Sequence, residues 1–107
     1  MSDQVKMVDV DTLRDWIDND EVIVVDVREQ NEYDAYHIAG AHLVPLSSFD
    51  MSKLPKIPDG KKLLLHCRSA RRCGSVAEMM LLSGYKGEIN RLEGGIESWV
   101  AAGAPVE

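Results

Sequence analysis

One segment gathers a thiol and three guanidinium groups within six positions: Cys67-Arg68-Ser69-Ala70-Arg71-Arg72. The apolar run Leu63 to Leu65 precedes it and the helix-like run Val76 to Leu82 follows, so it reads as the loop between a buried strand and a helix start. A thiolate at a helix N-terminus is stabilised by the positive end of the helix dipole and by unpaired backbone N–H groups. Arg68, Arg71 and Arg72 add positive charge around it. A free thiol with a pKa near ~8.5 is only a few per cent ionised at neutral pH, and lowering that pKa by about two units, roughly 2.7 kcal/mol, makes most of it thiolate. The segment therefore encodes an activated sulfur inside an anion site. The three arginines cannot all be buried without anionic partners, because an unpaired buried guanidinium costs several kcal/mol.

The rest of the chain is acidic. Its formal net charge is −6, yet residues 51–72 carry seven bases and one acid, against three bases and twelve acids in residues 1–50. The one basic segment surrounds Cys67. A positive pocket in an acidic protein suits a small anion better than a polyanion, which the remaining surface repels, so a nucleic-acid partner is not expected. The two cysteines are too few for a secreted disulfide scaffold, and no matching Cys or His pair suggests a zinc site. The apolar runs are far shorter than the ~20 residues of a membrane span. A soluble, cytoplasmic protein of one domain over residues 1–107, with no metal or organic cofactor and no membrane association, is the expectation.

Strand-like and helix-like runs alternate along the whole chain, which predicts an α/β domain with a mainly parallel sheet. Strands are expected at Met7–Val10, Val22–Val27, Ala41–Pro45, Leu63–His66 and Glu88–Leu92. The β-branched run Val22–Val27 should be central and covered on both faces. Helices are expected from Asp11-Thr12 to Asn19, from Glu29 to Tyr36, from about Arg72 to Ser83, and from Ile96 to Ala102. The third is apolar on more than one face and should be the most buried. One helical turn is expected at Ser48–Leu54, in a connection punctuated by Pro55, Pro58 and Asp59-Gly60. In such sheets ligands bind beyond the carboxyl ends of the strands, where Cys67 falls.

Further motifs extend the pattern: Asp-Val-Arg-Glu at residues 26–29, Glu32, His-Ile-Ala-Gly-Ala at 37–41, Pro45-Leu46, and Leu-Glu-Gly-Gly-Ile-Glu-Ser-Trp-Val-Ala-Ala-Gly-Ala-Pro-Val at 92–106. Together with the Cys67–Arg72 loop, and in this order, they resemble the rhodanese domain, and specifically its short single-domain sulfurtransferases. The resemblance implies a three-layer sandwich with a five-stranded, mainly parallel sheet flanked by helices, and the cysteine loop as active site. It implies that Cys67 takes a sulfane sulfur from thiosulfate or another small anionic donor, holds it as a persulfide, and passes it to cyanide or a thiol, including a protein thiol. The N–H groups of Arg68, Ser69, Ala70, Arg71 and Arg72 would cradle the persulfide, and arginine would stabilise the departing oxyanion. Asp26 and Arg28 are implied to support the loop, with Arg28 free to pair with Glu29, Glu32 or Asp34.

Loop length bears on the alternatives. Phosphatases and arsenate reductases of related fold place five residues between cysteine and arginine, making room for a tetrahedral oxyanion. Here Arg72 follows Cys67 after four, and the position a phosphatase arginine needs holds Cys73, although His66 before the cysteine is phosphatase-like. A non-enzymatic or redox-sensing module using Cys67 and Cys73 is the other alternative. Ala70 stands where many relatives have glycine, so a positive φ there would be strained by about 1 kcal/mol. Cys73 stands where a small hydroxyl residue is common. It is either a serine substitute or a thiol able to resolve an oxidised or persulfidated Cys67 into a disulfide, if the Cα atoms come within about 7 Å. His37 and His42 suit no common metal spacing, and a thiolate needs no general base. Ile96 and Trp99 read as core, and Gly94-Gly95 as a turn near the site's rim.

Overall fold

The computed structural model describes residues 3–107. Five strands form one sheet: β1 Val5–Val8, β2 Val22–Asp26, β3 His42–Leu43, β4 Lys62–His66 and β5 Ile89–Leu92, ordered β1-β5-β4-β2-β3 with every pairing parallel. The helices are α1 Val10–Asp18, α2 Gln30–Ala35, α3 Arg71–Leu82 and α4 Gly95–Ala101, with single 3-10 turns at Leu46–Ser48 and Met51–Lys53. Because all strands run the same way, the loops that follow β2, β4 and β5 leave one edge of the sheet side by side. That edge carries Cys67.

Side-chain alternation builds a core on each face of the sheet. Val22, Val24, Leu64 and Leu92 pack with Leu13, Ile38, Ile96 and Trp99 on one face. Val25, Val27, Leu63, Leu65 and Ile89 pack with Val76, Ala77 and Met80 on the other, and the period-2 series Leu63, Leu65, Cys67 brings Cys67 into this second layer. β2 is internal and covered on both faces, as its β-branched composition requires.

Several boundaries move from the sequence expectation for local reasons. The first strand ends at Val8 because Asp9 becomes the N-cap of α1, its carboxylate accepting from Thr12 N–H at 2.8 Å. The expected strand at Ala41–Pro45 shrinks to two residues paired only with β2. Glu29 is the N-cap of α2 rather than its first residue, joined to Glu32 by reciprocal side-chain to backbone bonds. α3 buries Cys73, Val76, Ala77 and Met80, more than any other helix, but its second apolar face is exposed: Met79 is 39% and Leu82 84% accessible. Ile96 and Trp99 are core, the Trp99 indole donating to Pro105 O at 2.8 Å. Among the described residues no helix is long and apolar enough to cross a membrane.

Candidate active site

β4 delivers Cys67 to the sheet edge with its side chain almost fully buried, and α3 begins four residues later with Ala70 as N-cap. Ala70 takes a left-handed backbone, φ 85°, the strained position that glycine would occupy without cost. This turn aims the first amides of α3 back at the cysteine. Cys73 N–H donates to Cys67 Sγ at 3.3 Å. The neighbouring Cys73, first through its side chain and then through this N–H, pulls the Cys67 thiol down to about 5 against the opposing effect of burial, and the N–H groups of Ser69 and Ala70 add to it. Near neutral pH Cys67 is therefore a thiolate, held chiefly by dipoles rather than by a direct ion pair.

The three arginines take three different positions. Arg72 makes a two-pronged ion pair with Glu32 of α2, Nη1 to Oε1 at 2.6 Å and Nη2 to Oε2 at 2.8 Å. Arg68 is exposed and reaches Glu97 at 3.2 Å. Arg71 is exposed and has no side-chain partner among the described residues. The anionic partners that three clustered arginines demand thus exist for two of them, and the third is left to face solutes.

Behind the loop, Asp26 and Arg28 form a buried pair, Arg28 Nη2 to Asp26 Oδ2 at 2.7 Å and Nε to Oδ1 at 3.0 Å, and Arg28 N–H also donates to Oδ1. Arg28 pairs with Asp26 and with Tyr36 O (2.9 Å), not with Glu29, Glu32 or Asp34 as the sequence suggested. The reason is geometric: Asp26 is fully buried two residues away and would otherwise hold an uncompensated charge. His66, paired in register with Asp26, is fully buried too, with Nε2 3.6 Å from Asp26 Oδ2 and Nδ1 3.4 Å from Cys67 O. Burial pushes its imidazole toward the neutral form, with Asp26 opposing. His37 binds Tyr33 O and stacks on Tyr33 at 3.9 Å, and His42 is exposed on β3. Among the described residues no group of three or more His, Cys, Asp or Glu side chains is placed to hold a metal ion.

The loop after β5 supports the site from the other side. Ile96 N–H donates to Cys67 O at 2.9 Å and Glu97 N–H to Arg68 O at 3.1 Å, so the first turn of α4 fixes the entry of the cysteine loop. Gly95, at φ +64°, lies so close that a Cβ there would meet Arg68 O at 2.4 Å and Cys67 O at 2.6 Å. The Gly94-Gly95 turn is therefore part of the scaffold of the loop and not only of its rim. A shallow cleft of about 300 Å³ lined by Arg28, Glu32, Tyr36, Arg68 and Glu97 opens beside it.

Arg91 is the contributor that the sequence reading missed. From β5 its Nη2 donates to Ala70 O at 2.5 Å and its Nε to Cys73 Sγ at 3.4 Å. The guanidinium passes over Gly74, where a Cβ would sit 2.7 Å from Nη2. A signal for this was present. Arg91 follows Ile89 by two residues, which places it on the α3 face of the sheet, and it pairs in register with Leu65, two residues before Cys67.

Comparison with known proteins agrees with this architecture. The chain matches the Rhodanese-like domain family over residues 9–102. It is 34% identical over 82 residues to the thiosulfate sulfurtransferase GlpE of Coxiella burnetii, covering 76% of this chain and 74% of that protein. It is 40% identical over 94 residues to an uncharacterised protein of Synechocystis, where it covers 88% of this chain but spans only 51% of the relative's length. The structure of a rhodanese-related protein from Thermoplasma volcanium superposes with a TM-score of 0.81 at 28% identity, covering 95% of this chain and 97% of that one. Relatives named as sulfurtransferases support that activity at the level of the family. The chain belongs to the rhodanese-like family.

Proposed function

We propose that this protein is a sulfurtransferase that carries a sulfane sulfur on Cys67. The observation that carries the reading is the state of that residue: a buried cysteine pulled to about 5 at the start of α3, with Arg71, which has no side-chain partner among the described residues, in the same loop. Thiosulfate is the favoured donor on chemical grounds, since it is a small dianion with an electrophilic outer sulfur. Cys67 Sγ attacks that sulfur, the S–S bond of the donor breaks, and sulfite leaves with the bonding pair. The backbone amides of residues 68–72 hold the persulfide anion, and Arg71 meets the leaving oxyanion. Cyanide or a thiol then takes the outer sulfur and restores the thiolate. Two cysteines are too few for a secreted disulfide scaffold, which fits a reducing compartment such as the cytoplasm.

Phosphate-ester chemistry is disfavoured by the same geometry. A loop with four residues between Cys67 and Arg72 is short for a tetrahedral oxyanion, and Arg72 is already engaged by Glu32. The test is thiocyanate formation from thiosulfate and cyanide, run beside phosphate release from an aryl phosphate. Thiocyanate production that disappears in Cys67→Ser, with no phosphate release, supports the proposal. Thiocyanate production surviving in Cys67→Ser, or phosphate release alone, overturns it.

A further inference from the structure

The side chain of Cys73 is fully buried in the same pocket as Cys67, and the transfer cycle above gives it no chemical step. Its backbone nitrogen is 3.3 Å from Cys67 Sγ. The two side chains share one buried cluster and interact with each other directly, so the Cys73 thiol neighbours the sulfur that a persulfide on Cys67 would make its inner atom. Two further groups fix it there. Its thiol donates to Ala70 O at 3.3 Å, and Arg91 Nε donates to its sulfur at 3.4 Å. A guanidinium reaching across from β5 to a thiol favours the ionised form of that thiol.

We propose that Cys73 is an internal nucleophile that discharges a Cys67 persulfide as sulfide when no external acceptor takes it. This rests on the persulfide reading of Cys67. The Cys73 sulfur gives up its proton and attacks Cys67 Sγ; the S–S bond of the persulfide breaks, and its outer sulfur leaves with the bonding pair and the proton as hydrosulfide. The product is a Cys67–Cys73 disulfide. The sulfane sulfur is reduced to sulfide and the two cysteine sulfurs are oxidised, so no outside oxidant is needed. Return to the dithiol form takes two electrons from a dithiol reductant.

The site orders these events. In the resting protein the adjacent Cys67 side chain, together with burial, pushes the Cys73 thiol far up, while Arg91 opposes them. Loading sulfur moves the charge from Cys67 Sγ to the outer atom, one S–S bond of about 2 Å further out. Cys73 then keeps its cation and loses its nearest anion. An intramolecular thiol also competes at high effective concentration against solutes that must enter from outside.

The experiment loads wild-type, Cys73→Ser and Cys73→Ala proteins anaerobically with thiosulfate, and separately with polysulfide. After desalting, intact mass and released sulfide are followed together. The wild type should gain about 32 Da and then fall to about 2 Da below the starting mass, releasing about one sulfide per chain, and a dithiol should restore the original mass. Both variants should keep the added sulfur at least about tenfold longer. A wild-type adduct as long-lived as that of the variants overturns the proposal and leaves the persulfide reading intact, as does a lighter form without matching sulfide. No adduct from either donor in any of the three proteins overturns both.

Discussion

Arg72 and Glu32 face each other across the sheet edge as a two-pronged ion pair with both contacts under 3 Å, so the arginine that closes the cysteine loop is held by α2 rather than offered to solutes. Glu32 is held down to about 2 from its ordinary 4.5, first by the Arg72 hydrogen bond. A carboxylate depressed on folding stabilises the protein fully above its unfolded value and loses that contribution as pH falls toward about 2. With solvent screening of this partly exposed pair, Glu32→Gln should cost about 1 kcal/mol at neutral pH. Urea unfolding should show the gap between wild type and variant closing between roughly pH 4.5 and pH 2.

With Arg72 engaged and Arg68 on Glu97, Arg71 is the arginine available to an anionic donor. Arg71→Ala should raise the KM for thiosulfate about tenfold, near 1.4 kcal/mol, and leave the unfolding midpoint within a degree or so. Arg72→Ala should do the reverse, lowering the midpoint first. Steady-state kinetics paired with thermal melts on the two variants separates these roles, and interchangeable effects would contradict the division of labour.

The Cys67 thiol is pulled from 9.0 to about 5, chiefly by Cys73. Thiolate is the form present above that value, so alkylation by iodoacetamide should accelerate as pH rises through about 5 and level off before neutrality. A midpoint near the free-thiol value of ~8.5 would show that Cys73 and the loop amides do not stabilise the thiolate.

Ala70 and Gly95 should respond in opposite senses. Ala70→Gly removes a left-handed strain of about 1 kcal/mol and should raise stability, although glycine ordinarily lowers it. Gly95→Ala drives a methyl into Cys67 O and Arg68 O at a left-handed position. It should cost about 3 kcal/mol and reduce sulfur transfer by displacing the loop, read by denaturant titration and activity on the same preparations.

The sheet and its helices were legible because alternation in Leu63, Leu65, Cys67 and the β-branched run of β2 leave few other ways to bury apolar surface. The Cys67 loop stood out in the sequence because it gathers three guanidinium groups around one thiol in an otherwise acidic chain. What the arginines do was not, because partners such as Glu32, 40 positions away, are set by loop geometry and not by periodicity. Arg28 binding Asp26, rather than an acid of α2, reflects the same limit: burial of Asp26 decides the pairing, and burial of a single acid at a strand end is not written in its neighbours. Arg91 was readable in principle from the register of β5 against β4, but only once the strand order was known.

The central claim is that Cys67, and not Cys73, receives the sulfur. It is tested most directly by brief exposure to thiosulfate labelled in its outer sulfur, acid quenching, and mapping of the label by peptide mass spectrometry. The account predicts labelled sulfur on Cys67 approaching one atom per chain, none on Cys73, and full transfer of the label to thiocyanate when cyanide is added. Label found first on Cys73, or persisting in a Cys67→Ser protein, would contradict it.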